Sequence, residues 1–524
     1  MNIAALIAQT PTPPTTTPTT PTSTGIVLPS ILWTSIIWIT FVAFFVIVLM
    51  PERNDEQRNR IRVVALFASG ISFFLATFYG MLGQIALASG GGVSSAHEEN
   101  YRWIHSFSFT SAYHLTADGL SLTLLVLSTL VFGCAIFHSW KVRERVRLYC
   151  ALLMLLETAV SGVLCSADLV LFVFFWGMQI VPLYLLLRVF GSAARRRAAA
   201  RYLTFSLLSY SLLITSVLLL IVRAGAHTSD LSTDLVNIQG ATETAGFWLS
   251  FAAFAIALGV FPVHKWMVDA HSDASTGVGA VATGVVIKLG GYGLLRITLA
   301  GFPHASHQMS LVIVGLAVVS AVWGAVGAVG QDDLRRFLSY GNMVQMALVL
   351  LAVGTQSSIA LMGAVFVMVA HGLASAILIL VSGAVEERTR TRSIRALGGL
   401  AGKLPRLTGF GVFAVLSAVG VPLLAGFVAE LFVFSGAFPE HRIATVIVMA
   451  TLVVYTGGLL WVTHRAFFGP LRETFERAKD ASTLELTYLI PLVVGVLLFG
   501  IRPGSLTPVI GNGIVQITTR LTGG

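Results

Sequence analysis

Apolar runs of about twenty residues, separated by short polar stretches, recur along the chain from residue 26 onward. A helix of that length spans the roughly 30 Å hydrocarbon core of a bilayer. The runs predict fourteen helices, at 26–50, 63–89, 117–138, 147–165, 168–188, 202–222, 247–263, 275–298, 309–329, 335–354, 357–383, 406–437, 442–468 and 484–501. The apolar–polar alternation over about ten residues that marks a transmembrane β-barrel is missing. The expected fold class is an all-α polytopic membrane protein with about 14 transmembrane helices. Ahead of them, residues 1–24 form a Thr/Pro-rich tail whose composition favours extended, unpacked chain. It lacks the basic start and long apolar core of a signal peptide.

Two of the runs share a flaw. Residues 259–262 read Gly-Val-Phe-Pro and residues 420–422 read Gly-Val-Pro. A proline inside a helix removes one backbone hydrogen bond and clashes with the preceding turn. Broken helices in corresponding positions point to an inverted-repeat transporter architecture with sites near the midplane. Two ordinary proline kinks are the plain alternative.

Composition agrees with the pattern: 56% of residues are hydrophobic, 11% are charged, and mean hydropathy is +0.84. The net charge of +9 is a matter of topology rather than of nucleic-acid binding. Of 33 Lys and Arg residues, 26 fall in alternate loops on one side of the fourteen-helix arrangement, including Arg195-Arg196-Arg197. Lys288 lies inside a helix, and the remaining six fall on the other side. By the positive-inside rule the basic side is cytoplasmic, which puts both termini outside. Cys134, Cys150 and Cys165 form no CxxC pair, so no disulfide framework, zinc site or iron–sulfur site is indicated. Neither GxGxxG nor GxxxxGK[ST] occurs in a nucleotide-binding context.

The candidate chemistry is the few polar residues deep in apolar runs: Glu157, Lys288, His371 and Glu430, with Gln345 and Tyr455 as companions. An ammonium in hydrocarbon costs about 2.5–3.5 kcal/mol on insertion scales, so such a residue is usually functional or neutralised nearby. The bland readings are a structural lysine pair, a satisfied interhelical histidine and a protonated glutamate. Together, Lys, His and Glu on separate helices suggest a proton or cation relay. Asp118, Asp168 and Glu485 sit at helix starts, where capping is as good a reading as function.

The order of motifs then becomes informative. They are Ala117-Asp118-Gly119-Leu120-Ser121, SADLVLFVFFWGMQIVPLYLL at 166–186, PVHKWMVDAHS at 262–272, IKLGGYGLLRI at 287–297, QDDLRRFLSYGNMVQM at 331–346, VAHGLASA at 369–376 and VGVPLLAGFVAELFVFSGAF at 419–438. Over roughly 113–470 the chain resembles the antiporter-like subunits of respiratory complex I, most closely chain M of NADH-quinone oxidoreductases, as a divergent member. The resemblance implies two inverted five-helix repeats, each with a broken helix. It divides the chain into the tail at 1–24, N-terminal helices at 25–145, a first repeat at 146–300, a second at 301–470, and a last helix with its tail at 471–524. The family's channel lysine falls on Lys288, its helix 11 histidine on His371 and its outer-side glutamate on Glu430.

Other positions depart from the pattern. The resemblance expects a glutamate at Gly177 and a lysine at Ala257, and Gln345 replaces a histidine. Losing one member of such a pair strands a buried charge at about 3–5 kcal/mol, whereas losing both is close to neutral. The joint loss therefore reads as coordinated retirement, with Glu157 as the substitute acid.

The expected function is a membrane-arm subunit of a complex I-type NADH-quinone oxidoreductase in the cell membrane. Protons would cross by Lys288, His371 and Glu430, with Glu157, Gln345 and Tyr455 as a secondary set. No cofactor or metal is expected in this chain. FMN, iron–sulfur clusters and quinone belong to partner subunits, and the expected partners are L-, N- and K-type membrane subunits and lipid, with no nucleic acid. The alternatives are a degenerate non-pumping subunit of the same arm, or a subunit of a multi-subunit cation/proton antiporter.

Overall fold

A computed structural model of the chain describes residues 31–88, 98–106, 109–223, 229 and 240–522. The Thr/Pro tail at 1–24 lies outside the described residues. The first crossings are α1 (Leu32–Leu49), α2 (Asp55–Ala88), α3 (Gly119–His138) and α4 (Val146–Cys165). The predicted helix at 168–188 is instead two pieces, α5 (Leu169–Met178) and α6 (Ile180–Phe190), which meet at Gln179. Pro182 is the physical reason: it has no N–H for the carbonyl of Met178, and its ring crowds that carbonyl.

Next come α7 (Arg195–Arg223), α8 (Ala241–Leu258), the short α9 (Lys265–Asp273) and α10 (Thr276–Leu299). A short α11 (Pro303–Gln308) leads into α12 (Ser310–Val329), α13 (Leu334–Thr355) and α14 (Ser358–Thr389). The chain closes with α15 (Pro405–Ala418), α16 (Ala425–Ala437), α17 (Arg442–Phe467), α18 (Thr483–Ile501) and α19 (Thr507–Thr522). Among the described residues, thirteen helical stretches are long and apolar enough to cross a membrane. The pair α15–α16 supplies one more crossing, in line with about fourteen.

Both proline motifs break their helices. The predicted helix at 247–263 stops at Leu258, where Gly259 takes φ +75°. The predicted helix at 406–437 divides at Gly420, φ +72°, and Leu423, φ +74°. At each break a side chain donates to a carbonyl of the helix end: Trp266 Nε1 to Ile256 at 2.9 Å, and Gln345 Nε2 to Ala418 at 3.4 Å.

Besides the short α9 and α11, a strand pair and a helix lie outside the predicted set. Residues Glu99–Ser106 (β1) and Phe109–Leu115 (β2) pair as antiparallel strands, and the described residues are otherwise helices and their connections. The other is α19, which lies against α3 and buries Ile510, Ile514 and Ile517 at helical spacing.

The helices sort by burial. α4, α10, α13 and α14 are buried along almost their whole length, while α1, α7, α17 and α18 present most of theirs outward. A helix apolar all round belongs in lipid or in a core, and the polar residues Glu157, Lys288, Gln345 and His371 all sit on the inner set.

Candidate functional site

The site is built on α10. Its segment Ala282–Val286 is π-helical. The Ile287 N–H reaches back five residues to the Ala282 carbonyl at 3.2 Å, one residue further than an α-helix requires. The Thr283 carbonyl loses that donor, and Lys288 Nζ donates to it instead. A second π-helical segment, Leu294–Leu299, follows Lys288 by six residues. Such insertions recur at functional positions in helices.

The second partner of Lys288 comes from α14. His371 Nδ1 lies 3.0 Å from Lys288 Nζ. With the ammonium donating, Nδ1 accepts and Nε2 carries the ring proton. Two glycines permit this contact. A Cβ on Gly284 would lie 3.1 Å from the Gly372 carbonyl oxygen, and one on Gly372 would lie 2.8 Å from that of Gly284. The backbones of α10 and α14 therefore touch beside the pair. Lys288 is 1% exposed, and among the described residues no carboxylate forms an ion pair with it.

Gln345, Glu430 and Tyr455 gather on the far side of His371. A cavity of about 10 Å³ is bordered by His371, Gln345, Ser417, Ala418 and Glu430. A second of about 10 Å³ is bordered by His371, Gln345, Asn342, Ser375 and Tyr455. Each has room for about one water, which needs roughly 10–15 Å³ and two to four polar partners. Glu430 Oε1 and Ser417 Oγ have no hydrogen-bond partner among the described residues. Glu430 curls back onto Gly420, where any side chain would collide with its carboxylate.

Two polar residues extend this cluster that the sequence reading did not single out. His271 on α9 is buried, with Nδ1 3.1 Å from Asn342 Nδ2. Asn342 and Gln345 stand three residues apart on one face of α13, a spacing that could have flagged them. His271, Asn342, Gln345, His371 and Lys288 thus form a buried polar line across α9, α13, α14 and α10.

Glu157 stands apart from this line. Its Oε1 accepts from Ser69 of α2 at 2.8 Å, and its Oε2 has no partner among the described residues. Gly177 and Ala257 lie in the other half. A Cβ on Gly177 would meet Tyr210 Cζ at 2.6 Å, so the Tyr210 ring fills that place. Beside it Trp176 packs edge-on against Phe254 with centroids 5.1 Å apart, and Phe172 stacks on Tyr292 at 6.3 Å.

On the basic face a larger cavity of about 390 Å³ opens over the start of α10, between His138, Lys141, Ser275, Arg335, Glu386 and Arg392. Arg335 spans it, donating to the Ala274 carbonyl and to Thr276 Oγ1, both at 2.7 Å, and pairing with Glu386 at 3.0 Å. The helix-start carboxylates are structural. Asp118 caps α3 and pairs with Arg296 at 2.6 Å. Asp168 accepts from Val170 and Leu171. Glu485 closes a capping box and pairs with Lys141 and Arg388.

An amine, an imidazole, an amide and a carboxylate in this order can exchange protons, directly or through single waters. Among the described residues no group of three His, Cys, Asp or Glu is placed to hold a metal.

Comparison with known proteins agrees with the motif order. Residues 166–456 match the family described as NADH:quinone oxidoreductase/Mrp antiporter, transmembrane. The chain is 32% identical over 457 residues to NADH-quinone oxidoreductase subunit M of Escherichia coli (strain K12), covering 84% of this chain and 89% of the relative. Its fold is similar to a chain of respiratory complex I from Thermus thermophilus with bound NADH, with TM-score 0.82, 22% identity, and 94% and 100% of the two chains covered. It is also similar to a chain of the Mrp complex from Dietzia sp. DQ12-45-1b, with TM-score 0.77, 21% identity, and 94% and 97% covered. The chain therefore belongs to the NADH:quinone oxidoreductase/Mrp antiporter transmembrane family.

Proposed function

We propose that this chain is a proton-translocating membrane-arm subunit of a complex I-type NADH-quinone oxidoreductase in the cell membrane, with its basic face cytoplasmic and both termini outside. The observation that carries the reading is the 3.0 Å contact between Lys288 Nζ and His371 Nδ1, made without a neutralising carboxylate. A fixed structural cation would be paired with an acid. Here the partner is itself a base that can take the proton and pass it on. Gln345 and the single-water cavities then lead towards Glu430 on the outer side, with Tyr455 bordering them. His271 and Asn342 supply the cluster from the basic side.

The driving energy comes from redox chemistry in other subunits, where FMN, iron–sulfur clusters and quinone are held. L-, N- and K-type subunits and lipid are the neighbours within the membrane. The two broken helices fit a division into inverted repeats at 146–300 and 301–470.

The test is the Lys288→Ala variant in the purified whole complex, reconstituted in proteoliposomes. Protons taken up per electron transferred should fall. An unchanged ratio would overturn the reading and leave a non-pumping spacer.

A further inference from the structure

The half of the chain that carries Gly177 and Ala257 is not sealed by the aromatic cluster. Between α5, α7, α8, α9 and α10 lies a cavity with about 30 Å³ of space for water centres, enough for roughly two waters at ~10–15 Å³ each. Ala257 forms part of its wall, at the position where the resemblance expects a lysine. Gln179, Tyr202, Ser206 and Trp266 form much of the rest. Gln179 Oε1 is buried and has no hydrogen-bond partner among the described residues. This amide owes its place to the interruption between α5 and α6 caused by Pro182. The cavity reaches α10 at Val286, within the π-helical segment whose Thr283 carbonyl holds Lys288 Nζ.

An apolar hole of this size would stay dry, whereas one with an unsatisfied amide oxygen and hydroxyls gives water the two to four partners it needs. Replacing a lysine by alanine leaves room of this kind. Among the described residues, no charged side chain borders the cavity.

We propose that this cavity is a hydrated proton-inlet site, in which an amide–hydroxyl–water relay of Gln179, Tyr202 and Ser206 replaces the retired Glu/Lys pair and delivers protons to Lys288. Transfer is by exchange along hydrogen bonds. A proton arriving on one side of a water or hydroxyl is matched by one leaving on the other, the Gln179 amide oxygen orienting the water by accepting from it. The last proton goes to the Lys288 amine after Lys288 has passed its own to His371, which returns Lys288 to the ammonium form. The inference rests on Lys288 being part of a proton path.

Radiolytic hydroxyl labelling of the intact complex tests the water directly. Tyr202 in the cavity wall and Tyr292 in the ring cluster are both buried tyrosines of equal intrinsic reactivity. Tyr202 should label several-fold faster, and Ala257→Leu should bring it down to the rate of Tyr292. Equal labelling in the unmodified complex would overturn the proposal.

Proton uptake per electron tests the relay. Ala257→Leu and Gln179→Leu should each lower the ratio, as Lys288→Ala does. If Lys288→Ala lowers it and both leucine variants do not, the inlet is wrong and the Lys288 path stands. If none of the three lowers it, both fail.

Discussion

Lys288 Nζ and His371 Nδ1 face each other at 3.0 Å, an amine held by an imidazole nitrogen and one backbone carbonyl. The stability consequences are asymmetric. His371→Ala leaves a buried ammonium short of a partner, at about 1.5–3 kcal/mol for a hydrogen bond to a charged group. Lys288→Met removes the charge and keeps the chain length; relief of the buried charge offsets the two neutral acceptors it leaves, the Thr283 carbonyl and His371 Nδ1. Thermal unfolding of the purified protein checks the order: His371→Ala should melt clearly lower than Lys288→Met.

The pair depends on backbone contact between α10 and α14. A methyl group at Gly284 would press on the Gly372 carbonyl from 3.1 Å. Gly284→Ala should push the helices apart, lengthen the Lys288–His371 contact and reduce proton uptake per electron while the protein still folds. The same substitution at Gly315, where a Cβ meets nothing within 4 Å, should leave uptake as it was.

Gly177 is fixed by packing as well as by the loss of its charge. A methyl there would overlap the Tyr210 ring, and overpacking of this kind costs about 1–3 kcal/mol. Gly177→Ala should therefore lower the melting temperature. Adding Tyr210→Ala should recover most of that loss, since the clash goes with the ring. A double variant no more stable than Gly177→Ala would show that Tyr210 is not the obstacle.

Asp118 and Arg296 tie the start of α3 to the second π-helical segment of α10 at 2.6 Å, both largely withdrawn from solvent. Asp118→Asn keeps an N-capping side chain but strands the guanidinium, at about 3–5 kcal/mol. Combining it with Arg296→Met should restore much of the stability. Additive losses in the double variant would mean that the two groups act independently.

The membrane architecture was legible because hydrocarbon imposes length and apolarity on each crossing. Both breaks were legible because Pro262 and Pro422 forbid a hydrogen bond wherever they sit. The three main candidate residues stood out as polar groups in apolar surroundings, and the structure brings Lys288 against His371 with Glu430 across a small cavity. Glu157 looked equally suggestive, yet it faces Ser69 on α2. Which way a buried side chain points depends on helix rotation, and a uniformly apolar helix gives no sign of that. His271 and Asn342 were missed because each is an ordinary polar residue alone, and only the packing of α9 on α13 makes them neighbours. The strand pair β1–β2 and the helix α19 were missed because neither carries the membrane signal.

Lys288 sits between two π-helical segments of α10, each one residue longer than an α-helical register needs. That surplus is spare chain. Arg335 holds the start of the helix through the Ala274 carbonyl, and beyond that point a spare residue can pass along by exchange of one carbonyl acceptor for the next. Each such step turns the intervening stretch about the axis and changes which carbonyl faces Nζ. A step across Lys288 would take Nζ from the Thr283 carbonyl to a neighbouring one, and that exchange has a spectroscopic mark. Carbon-13 label in the Thr283 carbonyl should show an amide I shift between the resting and turning-over complex, and a constant band would mean that the register is fixed.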